Sequence, residues 1–162
     1  MQIRRSREAD IPAIFTIVND AAERYRSVIP ADRWHDPYMP LDELNSEIAK
    51  GVEFWVVEDD GVVTGVMGMQ DKGEVALVRH AYVASTAQRK GVGTTLLRHI
   101  EAITTKPILI GTWATATWAI DFYVRNGFAL TSIDEKERLL RKYWTIPERQ
   151  IETSVVLKQG PR

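Results

Sequence analysis

Three β-rich runs follow one another through the middle of the chain, and this succession constrains the fold more than any other feature. The runs cover residues 52–58, 62–70 and 74–83, and turn signals that contain glycine separate them at 59–61 and 71–73. Runs of this length joined by short turns predict a β-meander, with 52–58 and 62–70 forming a hairpin. Because the third run is long and mostly apolar, we expect it to be a central strand.

Helical and strand patterns alternate on both sides of this meander. Residues 2–5 are a strand candidate, and apolar residues at spacings of three and four predict a first helix from Ile11 to Ala22. A second, shorter helix starts at Leu41, and Gly51 ends it. The spacing after the meander predicts a helix over about 88–104, a buried strand over 107–113, a helix that ends at Asn126 and Gly127, and a last strand over 153–157. This order predicts one α/β or α+β domain over residues 1–162, with a mixed, mostly antiparallel central sheet flanked by helices.

The charged segment 134–149 lies between the Gly127 turn and the last predicted strand. We interpret it as a solvated amphipathic segment. Its Tyr143 and Trp144 could cover either a subunit interface or an acceptor pocket, and the pattern leaves both open.

The composition argues against several kinds of protein. Lys and Arg number 21 against 22 Asp and Glu, so the molecule has no basic excess for binding nucleic acid. Cysteine is absent, which rules out disulfides, thiolate metal ligands and a cysteinyl acyl intermediate. The first ten residues lack the apolar core of a signal peptide, and no run reaches the ~20 apolar residues of a membrane span, so we expect a cytoplasmic protein without a membrane partner. No pair of histidines has metal-ligand spacing, so we expect no metal site.

The most informative segment is 88–94, which follows the third run and opens a predicted helix. Gly91 and Gly93 let the backbone approach an anion, and the first N–H groups of the helix point outward with the positive end of the helix dipole behind them. Arg89 and Lys90 add positive charge. The segment therefore predicts a pyrophosphate site, although two glycines could also simply ease a tight turn. Its spacing matches neither a Walker loop nor the G-x-G-x-x-G dinucleotide motif.

Two motifs in this chain resemble those of the GCN5-related N-acetyltransferases (GNAT family). The sequence Q-R-K-G-V-G, which starts at Gln88, resembles the R/Q-x-x-G-x-G/A loop that holds the pyrophosphate of acetyl-CoA in that family. Phe122 to Phe128 reads F-Y-V-R-N-G-F and resembles the family's F-Y-x-x-x-G-F helix ending. The order of elements also matches from about Gln2 to Leu157. The resemblance implies the GNAT fold, acetyl-CoA as co-substrate and N-acetyl transfer.

The resemblance also implies roles for individual residues. The backbone of Tyr82 and Val83 would pair with the pantetheine arm as an added strand, and strands 74–83 and 107–113 would splay apart to admit the thioester. Tyr123 would lie near the sulfur and protonate the departing thiolate. The residues that would bind acetyl-CoA are Tyr82, Val83, Gln88, Arg89, Lys90, Gly91, Val92, Gly93 and Thr94.

The chemistry of the Tyr123 side chain also bears on its role. A phenol has an ordinary pKa of about 10, so it is protonated at neutral pH and can donate a proton as charge develops on sulfur. Its spacing from Ala119 and Phe122 is equally that of an ordinary core stripe. The chain departs from the family pattern at two positions, because Ala116 stands where many relatives carry asparagine and Leu77 stands where some carry a glutamate base.

A base must therefore come from another residue, and histidine is the natural candidate. His80 lies on the predicted central strand and could be either the base or a hydrogen-bonded core residue. His35 lies in an aromatic loop over 27–40 and could contact the substrate or act as the base. His99 falls within a predicted helix, where we expect a solvated surface residue.

The region between the first two helices commonly walls the acceptor site in the family. The candidate substrate contacts are Trp34, His35, Tyr38, Met39 and Arg79, the last as a partner for an acceptor carboxylate. Trp34 and Tyr38 could instead cap the core, and Arg79 could be paired internally.

Together with the absence of cysteine, these residues predict an acetyl-CoA-dependent N-acetyltransferase. The acetyl group would pass directly to the amine of a small molecule or peptide, with Tyr123 and His80 as catalytic residues. The alternative is a catalytically silent coenzyme A-binding module that regulates or interacts through the same fold. A longer acyl donor also fits the pattern, and the last strand could pair across subunits in a homodimer.

Overall fold

In this computed structural model, residues 1–160 are the part of the chain that is described, and they fold around one seven-stranded sheet. The strands are β1 (Gln2–Arg5), β2 (Val52–Asp59), β3 (Val62–Asp71), β4 (Ala76–Val83), β5 (Ile108–Trp113), β6 (Phe128–Leu130) and β7 (Ser154–Gln159). Their order across the sheet is β1-β2-β3-β4-β5-β7-β6, and β4 with β5 is the parallel pair among antiparallel neighbours. The predicted mixed, mostly antiparallel sheet is therefore confirmed.

Helices cover both faces of this sheet. They are α1 (Ile11–Ala22), α2 (Leu41–Ala49), α3 (Val92–Ile103), α4 (Thr117–Arg125), α5 (Ile133–Tyr143) and α6 (Glu148–Glu152). Helices α3 and α4 pack over one face, whereas α1 and α2 cover one half of the other face and α5 and α6 cover the remaining half. Within residues 1–160, every helix is too short or too polar to cross a membrane.

The predicted hairpin joins β2 to β3 through a two-residue loop. Asp60 and Gly61 both have positive φ, 51° and 78°, which is the backbone of the type I′ turn that suits the twist of two antiparallel strands. Asp59 pairs directly with Val62 across this turn. The Asp-Gly signal in the sequence therefore located the turn correctly.

Helix α3 begins at Val92, four residues later than the predicted start near Gln88. Residues 85–87 form a single 3-10 turn, and Arg89 and Gly91 have φ values of 65° and 76°. These left-handed conformations cannot continue into a right-handed helix, so the segment ahead of Val92 stays a loop.

The segment 134–149 is amphipathic, as predicted, but it is folded into helices and one of its faces is buried. Helices α5 and α6 bury Leu139, Leu140 and Ile151 against β5 and β7. The hydroxyl of Ser132 caps α5 by accepting a 3.1 Å hydrogen bond from the N–H of Glu135, and the Lys136 ammonium donates to the Ile151 carbonyl at 2.8 Å. The high charge density hid a narrow apolar stripe on these helices.

Strand β6 was not predicted. It has three residues, and only the first of them is buried, so it carries almost no alternating pattern. Its position at the sheet edge comes from pairing with β7.

An ion pair ties the edge strand β1 to the start of α1. The Arg4 guanidinium donates to both carboxylate oxygens of Asp10, at 2.7 and 2.9 Å, and to Glu58 at 3.0 Å. The Arg7 N–H also donates to Asp10 at 2.7 Å. The Arg4 hydrogen bonds are the main reason that the pKa of Asp10 falls to about 2.

We expect Asp10→Asn to reduce stability at neutral pH and to flatten its dependence on acid. Because the pKa of Asp10 is depressed in the folded state, its stabilising effect is full above the unfolded value of about 4 and is lost as the pH falls through about 2. Urea unfolding curves between neutral pH and pH 2 measure this effect. Asp60→Asn, at an exposed turn residue, is the matched control, and equal acid dependence in both variants would contradict the assignment.

Candidate active site

Strands β4 and β5 separate in the middle of the sheet. They pair over Ala76 to Val78 and Ile108 to Ile110 only, although β4 continues to Val83 and β5 to Trp113. Beyond the last pair, β4 carries an irregularity, because Arg79 pairs with Gly68 and Tyr82 pairs with Val66. The predicted splaying of these two strands is confirmed, and two cavities meet at the gap.

His80 is the extra residue of this β-bulge. Its φ is 55°, a left-handed value that is uncommon outside glycine. A bulge re-aims the side chains beside it and increases the local twist. Here β4 has two residues between Arg79 and Tyr82, whereas β3 has one residue between their partners Gly68 and Val66.

The larger cavity, with a volume of about 870 Å³, is a groove between α3, α4 and the end of β4. It is lined by eight of the nine residues predicted to bind acetyl-CoA, namely Tyr82, Val83, Gln88, Arg89, Gly91, Val92, Gly93 and Thr94. The remaining residue, Lys90, is exposed and lies outside the lining. The groove therefore brings together residues that the sequence motif had joined only by spacing.

The backbone of this groove is suited to an anion at the start of α3. Gly91 caps the helix in a left-handed conformation without a side-chain cap, and its carbonyl accepts from the Thr95 N–H at 2.9 Å. The N–H groups of the first turn ahead of Thr95 have no partner within the helix, because the residues four positions earlier lie outside it. Oriented N–H groups at a helix start bind phosphate oxygens.

Gly93, which lines the groove, also permits close packing between two helices. A Cβ at this position would lie 3.2 Å from Cζ of Phe122, so glycine lets α3 pack closely against α4. Its φ is not among the positive values, so the need for glycine here comes from the space available and not from a left-handed backbone.

The rim of the groove carries positive charge. Arg24, Arg89 and Arg125 line it, together with one carboxylate, Asp121. The Arg24 guanidinium lies 4.5 Å from the centre of the Trp118 ring, which holds it in place by a cation–π contact. Neither Arg24 nor Arg125 could be assigned to the groove from the sequence, since their approach depends on how α1 and α4 dock.

Three tyrosines form the wall between the groove and the second cavity. Tyr25, Tyr82 and Tyr123 line both. The Tyr25 ring meets Tyr82 edge-on at 6.2 Å and Trp118 at 5.0 Å. Burial raises the pKa of Tyr25 to about 12 and raises the pKa of Tyr123 further, so both phenols are neutral at physiological pH.

The second cavity is smaller, about 140 Å³, and opens between β4, β5 and the helices of the opposite face. Tyr38, Arg79 and His80 line it from one side, and Trp144 lines it from the loop between α5 and α6. A Cβ at Gly111 would lie 3.2 Å from the Trp144 ring, so glycine makes room for this indole. Trp144 therefore lines this cavity, and its place at an acceptor pocket or at a subunit interface stays a prediction.

A polar cluster lies beside this cavity. Glu47, which the sequence analysis did not single out, contacts the Arg79 guanidinium and Nε2 of His80 through Oε1, at 3.4 Å in each case. These contacts lower the pKa of Glu47, chiefly through His80 and then through the charge of Arg79. A signal was present, because Glu47 follows Leu44 by three residues and shares its inward helix face. Among residues 1–160, no group of three His, Asp or Glu side chains could hold a metal ion.

The predicted substrate contacts divide into three groups. Tyr38 and Arg79 line the small cavity. Trp34 packs on Tyr38 with ring centres 5.3 Å apart, and His35 is exposed with Nδ1 at 2.9 Å from the Pro37 carbonyl oxygen, so neither residue lines the cavity. Met39 is wrongly predicted, because it is 2% exposed and packs in the core beneath α1.

Three further sequence predictions can be compared with the fold. His99 is not a solvated residue, since its ring packs 4.3 Å from that of Trp55 and its Nε2 is buried. Leu77 is fully buried in the core under α5 and α6. Ala116 is also fully buried, at the residue that precedes α4, where it can offer only its main chain for hydrogen bonding.

Residues 50–130 match the model of the acetyltransferase (GNAT) domain. No curated protein sequence matches the chain significantly.

Solved structures share its fold. The PaiA N-acetyltransferase from Thermoplasma acidophilum, in complex with coenzyme A, has a TM-score of 0.75 at 16% identity, covering 99% of this chain and 98% of that one. The ribosomal-protein-alanine N-acetyltransferase from Brucella melitensis has a TM-score of 0.68 at 21% identity, covering 99% of this chain and 100% of that one. An acetyltransferase of the GNAT family from Staphylococcus aureus has a TM-score of 0.74 at 13% identity, covering 99% of each chain.

The match to the family model spans half of the chain and includes β2 to β5, α3, α4 and the loop before α3 that lines the groove. The chain therefore belongs to the GNAT acetyltransferase family.

We expect Gly91→Ala to weaken coenzyme A binding about tenfold, and Gly91→Asn to weaken it less. A Cβ at Gly91 would meet nothing within 4 Å, so the cost comes from the left-handed φ of 76°, which penalises alanine by about 1–2 kcal/mol and asparagine by less. Titration calorimetry with coenzyme A measures the difference. Equal losses in the two variants would show that side-chain bulk, rather than backbone conformation, controls the loop.

Proposed function

We propose that this protein is an acetyl-CoA-dependent N-acetyltransferase that transfers acetyl directly to an amine. The observation that carries the proposal is that Tyr123 lines both the groove at the start of α3 and the smaller cavity beside His80. A donor in the groove and an acceptor in the cavity would meet at this side chain. The chain has no cysteine that could store the acetyl group between two half-reactions.

The groove fits coenzyme A on three grounds. The open N–H groups at the start of α3 suit the diphosphate, and the arginines on the rim suit its negative charge. The edge of β4 that faces the gap offers main-chain groups near Tyr82 and Val83, to which an amide-rich arm can add as a further strand. Bound there, acetyl-CoA supplies an activated thioester.

Tyr123 would act as the general acid. The amine nitrogen attacks the thioester carbonyl, the carbon–sulfur bond breaks, and the sulfur takes the proton of the phenol. Because burial raises the pKa of Tyr123, the hydroxyl keeps its proton well beyond neutral pH and is available to the developing thiolate.

His80 would be the general base, with Glu47 holding it. The acceptor arrives as an ammonium ion and must lose one proton before attack, and the imidazole takes it. The Glu47 carboxylate, 3.4 Å from Nε2, then stabilises the imidazolium. After attack, a second proton leaves the nitrogen and restores the Tyr123 phenol, while His80 releases its proton to solvent.

Tyr123→Phe should lower kcat roughly 100-fold while leaving the KM for acetyl-CoA nearly unchanged. The hydroxyl is needed only as charge develops on sulfur, and the loss is at the lower end of general acid catalysis. Thiol release in single-turnover mixtures of acetyl-CoA with a panel of amines measures the effect. Tyr143→Phe, at a tyrosine that lines neither cavity, is the control.

Two results of this assay would contradict the proposal. An unchanged kcat in Tyr123→Phe would remove this residue from the mechanism. Thermal stabilisation by acetyl-CoA without thiol release from any amine would instead favour the silent coenzyme A-binding module, to which Ala116 and the buried Leu77 lend support.

His80→Gly should lower kcat roughly 100-fold, and added imidazole should restore part of it. Glycine keeps the left-handed backbone that His80 adopts at a φ of 55° and leaves space for the free base. His80→Asn, which tolerates the same backbone but leaves less room, should show less rescue. Full activity in His80→Gly without imidazole would assign the base elsewhere.

A further inference from the structure

The charges around the small cavity are unbalanced. In the part of the chain that the structure describes, its lining includes one permanent cation, Arg79, one histidine, His80, and no carboxylate. The rest of the lining is aromatic, aliphatic or neutral polar, including Tyr38, Trp113 and Trp144. A cavity of this kind disfavours an acceptor that carries additional positive charge, such as a polyamine.

Arg79 is held in place but has donors left for a ligand. Its Nη1 donates to the Gln70 side chain at 3.2 Å and its Nη2 to Glu47 at 3.4 Å. Gln70 is itself fixed, because its amide donates to the Lys50 carbonyl at 3.2 Å. These bonds use two of the five N–H donors of the guanidinium, and the side chain, 22% exposed, also faces the cavity.

The reaction itself adds to the imbalance. Within residues 1–160, Glu47 is the one carboxylate in contact with both Arg79 and His80. When His80 takes the proton of the acceptor, two cations share this single carboxylate. A charge left unpaired in a half-buried site is costly, whereas a second carboxylate near Arg79 would balance it.

We propose that the acceptor is an amine that itself carries a carboxylate, of the free amino acid type, with an apolar side chain. Arg79 binds the carboxylate, and the apolar part lies against Trp113 and Trp144. This inference rests on the proposed function, which requires only some amine. It distinguishes a free amino acid from a peptide N-terminus, whose neighbouring carbonyl is a neutral amide.

The test compares three forms of one acceptor. Leucine, leucinamide and isopentylamine share a side chain and differ at the carboxylate, as do phenylalanine, phenylalaninamide and phenethylamine. With acetyl-CoA and the wild-type protein, kcat/KM from thiol release should be roughly 10- to 100-fold higher for the acid than for its amide or amine, because a hydrogen bond to a charged group is lost. Mass spectrometry of the N-acetyl product confirms the site of transfer.

Variants assign the preference to Arg79. Arg79→Gln should abolish the difference between acid and amide, and Arg79→Lys should keep part of it, because lysine retains the charge without the planar fork. Arg138→Gln, at an exposed residue of α5 with 64% of its side chain accessible, should keep the full preference. Coenzyme A calorimetry on each variant checks that the protein is folded.

The failures of the two proposals can be told apart. Turnover of the amines at the same rate as the acids, turnover of the amides alone, or an undiminished preference in Arg79→Gln would overturn the carboxylate assignment while the enzyme stands. Coenzyme A binding with no thiol release from any of the six compounds would also overturn it. An absence of coenzyme A binding would overturn the proposed function itself.

Discussion

Strand β4 keeps its hydrogen bonds to β3 but loses its other neighbour after Val78, and the site exists because of that loss. Along the remaining length of β4, main-chain groups on the edge toward β5 have no strand partner within the described chain. Backbone polar groups in the interior of a domain need partners, so this edge is prepared for a molecule that can hydrogen-bond like a strand. The same separation connects the two faces of the sheet, which is how Tyr25, Tyr82 and Tyr123 can border cavities on both sides.

The two sides of this opening differ in chemistry. The groove side offers oriented N–H groups and arginines, which suit a highly charged anion. The opposite side offers aromatic rings and a compact cluster of Glu47, Arg79 and His80. Between them the buried tyrosines are neutral, because a phenolate there would be desolvated. Charge is therefore concentrated at the two ends of the opening and absent from its middle.

The sequence was sufficient where the signal is local. Asp60 and Gly61 favour the backbone angles of a tight turn, so a short stretch of sequence was enough to predict the meander. The glycines before α3 indicate a loop that opens a helix, so a short stretch was also enough to predict the groove. Helices α5 and α6 were missed because their few apolar residues are interspersed with charged ones, and the burial of Leu139 and Leu140 depends on the sheet beneath them.

The remaining features of the site are tertiary. Glu47 reaches His80 only because α2 packs over β2 and the bulge in β4 turns toward it, and no spacing in the sequence encodes that distance. Two predictions failed for the same reason. Met39 was expected in a substrate-binding loop and His99 on the solvated surface, but tertiary packing places both against the interior. The sequence thus predicted most of the residues that line one side of the groove, but only a few of those that line the small cavity.

The bulge at His80 also limits how the gene for this protein can change. Arg79 and Tyr82 are three residues apart, yet they pair with Gly68 and Val66, which are two apart on β3 and share one face. Removing one of the two residues between Arg79 and Tyr82 would leave Tyr82 opposite Val66 on the same face of the sheet, but it would abolish the bulge and the left-handed position that His80 occupies. The pairing of the sheet would therefore survive such a deletion, whereas the site would lose the bulge that presents His80.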